Sequence, residues 1–147
     1  MKRCFVLFGS MLFALVGCNN KTPTYSRVEN QNFEIERTYD EIKTYELVWE
    51  SIFDVESTKY YVYFYSTTCS HCSQLKNYII EKALEREDIY FVKGSSKDQI
   101  TTDTKKLIGA ENPGDIWILG YPSMILILNK KCVKNLAGET QIKSELK

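Results

Sequence analysis

Cys69-Ser70-His71-Cys72 is the segment of this 147-residue sequence whose residue types and spacing suit chemistry. Two cysteines three positions apart can close a small disulfide ring, and the chain's single histidine lies between them. An apolar run ends just before the first of them and a helical pattern starts at it, so Cys69 falls at a helix N-terminus. Free N–H groups and the helix dipole favour negative charge there. A thiolate in such a place is stabilised, and its pKa can fall from about 8.5 to roughly 3.5–7.5. His71 adds a further donor beside the sulfur. Stabilising the reduced thiolate form makes the disulfide a stronger oxidant. Three blander readings stand beside this one. Half a zinc site is one, but zinc takes four ligands, usually as two spaced pairs, and only Cys132 and His71 remain. A purely structural bridge is another, although such bridges usually close longer loops. His71 as an ordinary surface histidine is the third. No metal and no cofactor is expected.

The elements that must position these groups follow from periodicity. Leu47, Val48, Ile52 and Phe53 make an approximate helical stripe, which predicts a short helix over Glu46–Glu56. Tyr60–Tyr65 is wholly aromatic or β-branched and reads as a buried strand. Leu75, Ile79, Ala83 and Leu84 carry a helix over Cys69–Arg86. Ile89–Val92 is a second strand and Asp103–Ala110 a short helix closed by Gly109. Glu111–Gly120 is a loop holding Trp117. Met124–Leu128 and Cys132–Leu136 are strands joined by a tight turn at Asn129-Lys130, and Glu139–Lys147 is a final helix. The first two strands flank a long helix and should be parallel, with a right-handed crossover. The last two should be an antiparallel hairpin. The fold class is therefore α/β, a mixed sheet of about four strands with helices on both faces. Cys132, on the hairpin, reads as a buried free thiol acting as a small hydrophobe, with a third redox thiol as the alternative.

The N-terminus reads differently. Lys2 and Arg3 precede a 12-residue apolar run, Phe5–Val16, which is short for a membrane span of about 20 residues and suits a signal peptide. Leu15-Val16-Gly17-Cys18 resembles the lipobox of bacterial lipoproteins, in which the cysteine becomes the first mature residue and carries the lipid. A plain signal peptide or an uncleaved anchor are the alternatives. The organisation expected is a signal peptide at 1–17, a polar tether at 18–44 and a folded domain at 45–147. The tether is rich in Asn, Thr and Glu and cannot bury enough surface to offset its ordering entropy, save for a short ordered piece near its end. The whole chain has 19 basic and 19 acidic residues. Losing Lys2 and Arg3 with the signal leaves a slightly acidic remainder, so nucleic acid is not an expected partner.

Taken together, strand, Cys-x-x-Cys, long helix, strand, helix, and Gly120-Tyr121-Pro122-Ser123 before a hairpin and last helix resemble thioredoxin over residues 46–147. That resemblance implies a cis Pro122 facing the cysteines and a Tyr121 backbone that pairs with extended substrate. It also implies a thiol–disulfide oxidoreductase acting through Cys69 and Cys72. Three features depart from the family. Thr68 stands where a tryptophan is usual. Tyr63 replaces the buried acid that helps to deprotonate the second cysteine. The Cys69–Pro122 interval is longer, and Trp117 either projects from it beside the site or packs within its loop. The Cys-x-His-Cys pattern resembles the family's oxidases and isomerases more than thioredoxin itself. The leading expectation is a lipid-anchored extracytoplasmic oxidoreductase that exchanges disulfides with exported proteins and is recycled by a redox partner. A non-catalytic thioredoxin-like adaptor of an export system is the alternative.

Overall fold

The computed structural model describes residues 35–147. The expected signal peptide, the lipobox-like segment ending at Cys18 and the expected tether up to residue 34 lie outside the described residues. Four strands form one sheet: β1 (Lys59–Tyr65), β2 (Ile89–Lys93), β3 (Ser123–Leu128) and β4 (Lys131–Ala137). Their order across the sheet is β2-β1-β3-β4. β1 and β2 are parallel, with Val62 opposite Tyr90, and the other two pairings are antiparallel. Helix α1 (Ser70–Arg86) makes the crossover between the parallel strands, and α2 (Gly138–Glu145) closes the chain. The β3–β4 turn is tight because Asn129 and Lys130 both take positive φ, 49° and 63°, which matches the twist of the flanking strands.

Alternation along β1 divides the core. Tyr61, Tyr63 and Tyr65 point to the face covered by Cys72, Leu75, Ile79, Ile80 and Ala83 of α1 and by Ile142 of α2. Tyr60, Val62 and Phe64 point to the other, where Ile52, Leu107, Ile116 and Ile118 meet them. Both α-helices therefore share one face, and irregular chain covers the second. That corrects the expectation of helices on both faces.

Two expected helices are absent, for the same reason. In place of a helix over Glu46–Glu56 there is a single 3-10 turn at Trp49–Ser51. Glu46 pairs with Phe91 in a parallel bridge, and the Leu47 N–H donates to the Phe91 carbonyl at 2.8 Å. The open edge of β2 thus captures the backbone that a helix would have needed. Asp103–Ala110 is a run of turns, not a helix. There the edge of β4 intervenes: Gly109 N–H donates to the Cys132 carbonyl and Cys132 N–H to the Ala110 carbonyl, both at 2.8 Å. Gly109, at φ 93°, ends the turns in a left-handed conformation that suits glycine.

The ordered piece near the end of the polar segment is larger than expected. A 3-10 helix spans Tyr39–Tyr45, Ile42 is fully buried, and Tyr39 stacks on Tyr65 with ring centroids 3.9 Å apart. Arg37 N–H donates to Asn77 of α1 at 3.0 Å, and Glu36 pairs with Lys76. The folded unit therefore includes residues that a tether ending at 44 would leave outside. Among the described residues no helix is long and apolar enough to cross a membrane.

Candidate active site

β1 ends at Tyr65, and Ser66-Thr67-Thr68 links it to α1. The Cys69 N–H donates to the Ser66 carbonyl at 3.2 Å, which turns the chain, and the Thr68 and Ser66 hydroxyls meet at 3.0 Å. Cys69 is the N-cap of α1. Its backbone is extended, and its sulfur accepts the Cys72 N–H at 3.2 Å. An N-cap side chain normally offers oxygen to this donor. Here the sulfur takes that place, so an orphan helix donor points at the atom that would carry thiolate charge.

The two sulfurs differ in access. Cys69 is part-exposed, and Cys72, one turn into the helix, is 1% exposed. Burial, followed by the neighbouring Cys69, pushes the Cys72 thiol up to about 12. Cys72 is thus a protonated thiol at neutral pH. Both are free thiols in this structure. His71 is exposed in the first turn of α1.

The Tyr121–Pro122 bond is cis, as the resemblance implied. Cys69 Sγ donates to the Tyr121 carbonyl at 3.5 Å, so the proline loop lies against the first cysteine. The Tyr121 side chain turns inward. Its hydroxyl donates to Asp98, and its ring lies over Gly94, where any side chain would collide with it. Gly94 N–H in turn donates to the Tyr65 carbonyl at 2.6 Å. The loop after β2 therefore braces the proline loop from behind. Spacing gave no signal for Gly94 and Asp98, because the contact joins segments more than twenty residues apart.

Beneath the cysteines lie the aromatic residues of β1. Tyr63 is fully buried in the same cluster as Cys72, and Tyr39 packs against that cluster from the N-terminal segment. The hydroxyls of both tyrosines are buried without a hydrogen-bond partner among the described residues. Burial raises both phenols well above their ordinary value. The Tyr65 hydroxyl, by contrast, donates to Glu46 at 2.6 Å.

The remaining candidates lie apart. Trp117 does not project beside the cysteines. The Lys106 ammonium sits 3.2 Å over its ring, and its carbonyl accepts from Asn135, so it packs within its own loop. Cys132 is 1% exposed on the opposite face of the sheet. A cleft of about 550 Å³ lined by Leu47, Trp49, Lys93 and Asp98 includes neither Cys69 nor Cys72. Among the described residues no cluster of three or more His, Cys, Asp or Glu is arranged to hold a metal.

These features define a thioredoxin-like fold: a mixed four-stranded sheet, a dithiol at the β1–α1 junction and a cis proline against it. No family model matches the sequence, and no curated protein does. Solved structures do. Thioredoxin f2 of Chlamydomonas reinhardtii is 19% identical, over 68% of this chain and 88% of its own, at a TM-score of 0.43. Mitochondrial thioredoxin 3 of Saccharomyces cerevisiae is 16% identical, over 68% and 88%, at 0.44. A Plasmodium falciparum thioredoxin is 16% identical, over 67% and 86%, also at 0.44. At such scores the chain's own topology carries the fold.

Proposed function

We propose that the chain is a thiol–disulfide oxidoreductase, tethered to a bacterial membrane through lipidated Cys18 and exchanging disulfides with exported proteins outside the cytoplasm. One observation carries the redox reading. A part-exposed sulfur capped by a helix N–H stands one turn from a buried partner thiol and against a cis Tyr121–Pro122 loop. In the reductive direction Cys69 attacks a substrate disulfide and forms a mixed disulfide. Cys72 then attacks Cys69, and the substrate leaves reduced. The oxidative direction is the reverse. Exported chains live where disulfides form and persist, which suits such an activity. Couples of this kind span about −270 to −120 mV, so the direction of flux depends on the recycling partner.

Insulin reduction and refolding of a reduced, disulfide-containing substrate test the activity. Catalysis that disappears in the Cys69→Ala variant supports the reading, and no catalysis by the wild-type chain overturns it. The tether has its own test. Cys18→Ala should leave the domain folded but release it from membranes, and a variant that still sediments with membranes contradicts lipid anchoring. A second reading, a non-catalytic thioredoxin-like adaptor, draws on Tyr63, which leaves no carboxylate in β1 beneath Cys72. Absence of turnover with a disulfide that still forms would favour it.

A further inference from the structure

The orphan hydroxyls beneath the cysteine pair call for a physical reason. A buried donor left unpaired is costly, and native structures leave few of them. Here two occur together, on Tyr63 within the buried cluster that holds Cys72 and on Tyr39 packed against that cluster. They arrive by unrelated routes. Tyr63 stands in the middle of β1, while Tyr39 comes from the segment ahead of the sheet and is fixed by stacking on Tyr65 at an interplanar angle of 17°. Each phenol senses both cysteines and the other phenol, and the Tyr63 hydroxyl acts to lower the pKa of Cys72 against the larger effect of burial. Raised as they are, both phenols keep their protons throughout the working range. They are donors there and never bases.

We propose that the Tyr63 and Tyr39 hydroxyls are a preplaced donor pair for the sulfur of Cys72, stabilising the negative charge it develops while resolving a mixed disulfide. The proposal rests on the redox reading above and gives the site a device in place of a buried acid. In the resolving step Cys72 Sγ attacks Cys69 Sγ. The Cys69–Cys72 bond forms as the bond from Cys69 to the substrate sulfur breaks. The substrate sulfur leaves with the electron pair and takes up the proton lost by Cys72, so the substrate is reduced and the cysteine pair oxidised. The two phenols keep their own protons throughout. In the resting dithiol Cys72 is neutral, and the donors have no anion to bind. They act only as charge appears, which is how a preorganised donor raises a rate without tightening the ground state. The pair therefore governs the speed of resolution and leaves the equilibrium between disulfide and dithiol largely unmoved.

Tyr63→Phe tests this by removing one oxygen and little volume. The mixed disulfide of Cys69 with glutathione, formed by rapid mixing with oxidised glutathione, should resolve at least about tenfold more slowly, the scale of one hydrogen bond to a charged group. The equilibrium constant with glutathione should move less than about twofold. The melting temperature should hold or rise, because an unsatisfied hydroxyl has been relieved. Tyr39→Phe should act in the same direction and more weakly. A residue that only packs would show the reverse, a lower melting temperature and an unchanged resolution rate, and that result overturns the donor pair. A separate arm needs no turnover. With Cys69→Ala in place, Cys72 should react with methyl methanethiosulfonate more slowly when Tyr63→Phe is added. Equal rates overturn the pair even if the chain exchanges disulfides, and slower rates support it even if glutathione exchange is absent and the oxidoreductase reading fails.

Discussion

Each face of the sheet hides one cysteine, and the two make a controlled comparison. Cys72 and Cys132 are both 1% exposed, and burial is the first cause that pushes each thiol up to about 12. By acidity alone they are alike. Their neighbours differ. Cys72 lies one helical turn from a part-exposed second sulfur and above two unpaired phenols. Cys132 lies in an edge strand among aliphatic side chains such as Leu107 and Ala110, and its sulfur donates to the Lys134 carbonyl at 3.4 Å. Burial sets how reluctantly a thiol ionises. A second sulfur within reach decides whether that thiol can resolve anything.

The strongest way to break the comparison is to delete the cysteines in turn. Cys69→Ala should abolish both turnover and trapping of substrate. Cys72→Ala should stop turnover while leaving substrate bound to Cys69 as a slower band on a non-reducing gel. Cys132→Ala should leave exchange within about twofold of wild type. Loss of exchange on changing Cys132 would make it a third redox thiol and remove the contrast. A smaller effect sharpens the redox side. His71→Pro deletes a donor from a helix turn that tolerates proline, and it should make the Cys69–Cys72 couple more reducing by tens of millivolts, where about 30 mV corresponds to about 1.4 kcal/mol. Equilibration with glutathione measures this, and an unchanged potential would make His71 an ordinary surface residue.

The smallest effect sharpens the structural side. Cys132 ionises from 9.0 in the open chain to about 12 when folded. The folded state holds the proton more tightly, so its contribution to stability is complete below about 9 and is lost as pH rises from there towards 12. Thermal melts across that range should show wild-type protein losing more stability than Cys132→Ala. Parallel losses would mean that Cys132 ionises as readily folded as unfolded.

Much of this architecture was legible in the sequence. The aromatic run of β1, the stripe of α1 and the Asn129-Lys130 turn have strong local signals, and all three form where patterning places them. The cysteine pair and the burial of Cys72 and Cys132 were legible from spacing and position in the predicted elements, and the cis Pro122 only through the resemblance to thioredoxin. The failures share a cause. Glu46–Glu56 and Asp103–Ala110 have weak helical stripes, and each lies beside an open strand edge whose unpaired N–H and C=O groups compete for the backbone. Periodicity reports side-chain burial and says nothing of that competition. The polar segment before residue 45 hid Tyr39 and Ile42 for a related reason. Two apolar anchors in a charged stretch show no period, yet they suffice to dock it. Nor could spacing announce the contact between Asp98 and Tyr121, or the stacking of Tyr39 on Tyr65, because each depends on the finished fold.

The role of Cys69 as the attacking sulfur is tested most directly by alkylation. Fully reduced protein, treated briefly with iodoacetamide at mildly acidic pH and digested for mass spectrometry, should carry the label on Cys69 well before Cys72 or Cys132. Cys69 combines exposure with a helix N–H aimed at its sulfur, and the other two are buried and protonated. Preferential labelling of Cys72, joined by substrate trapping only when Cys69 is the residue replaced, would contradict the assignment and the mechanism built on it.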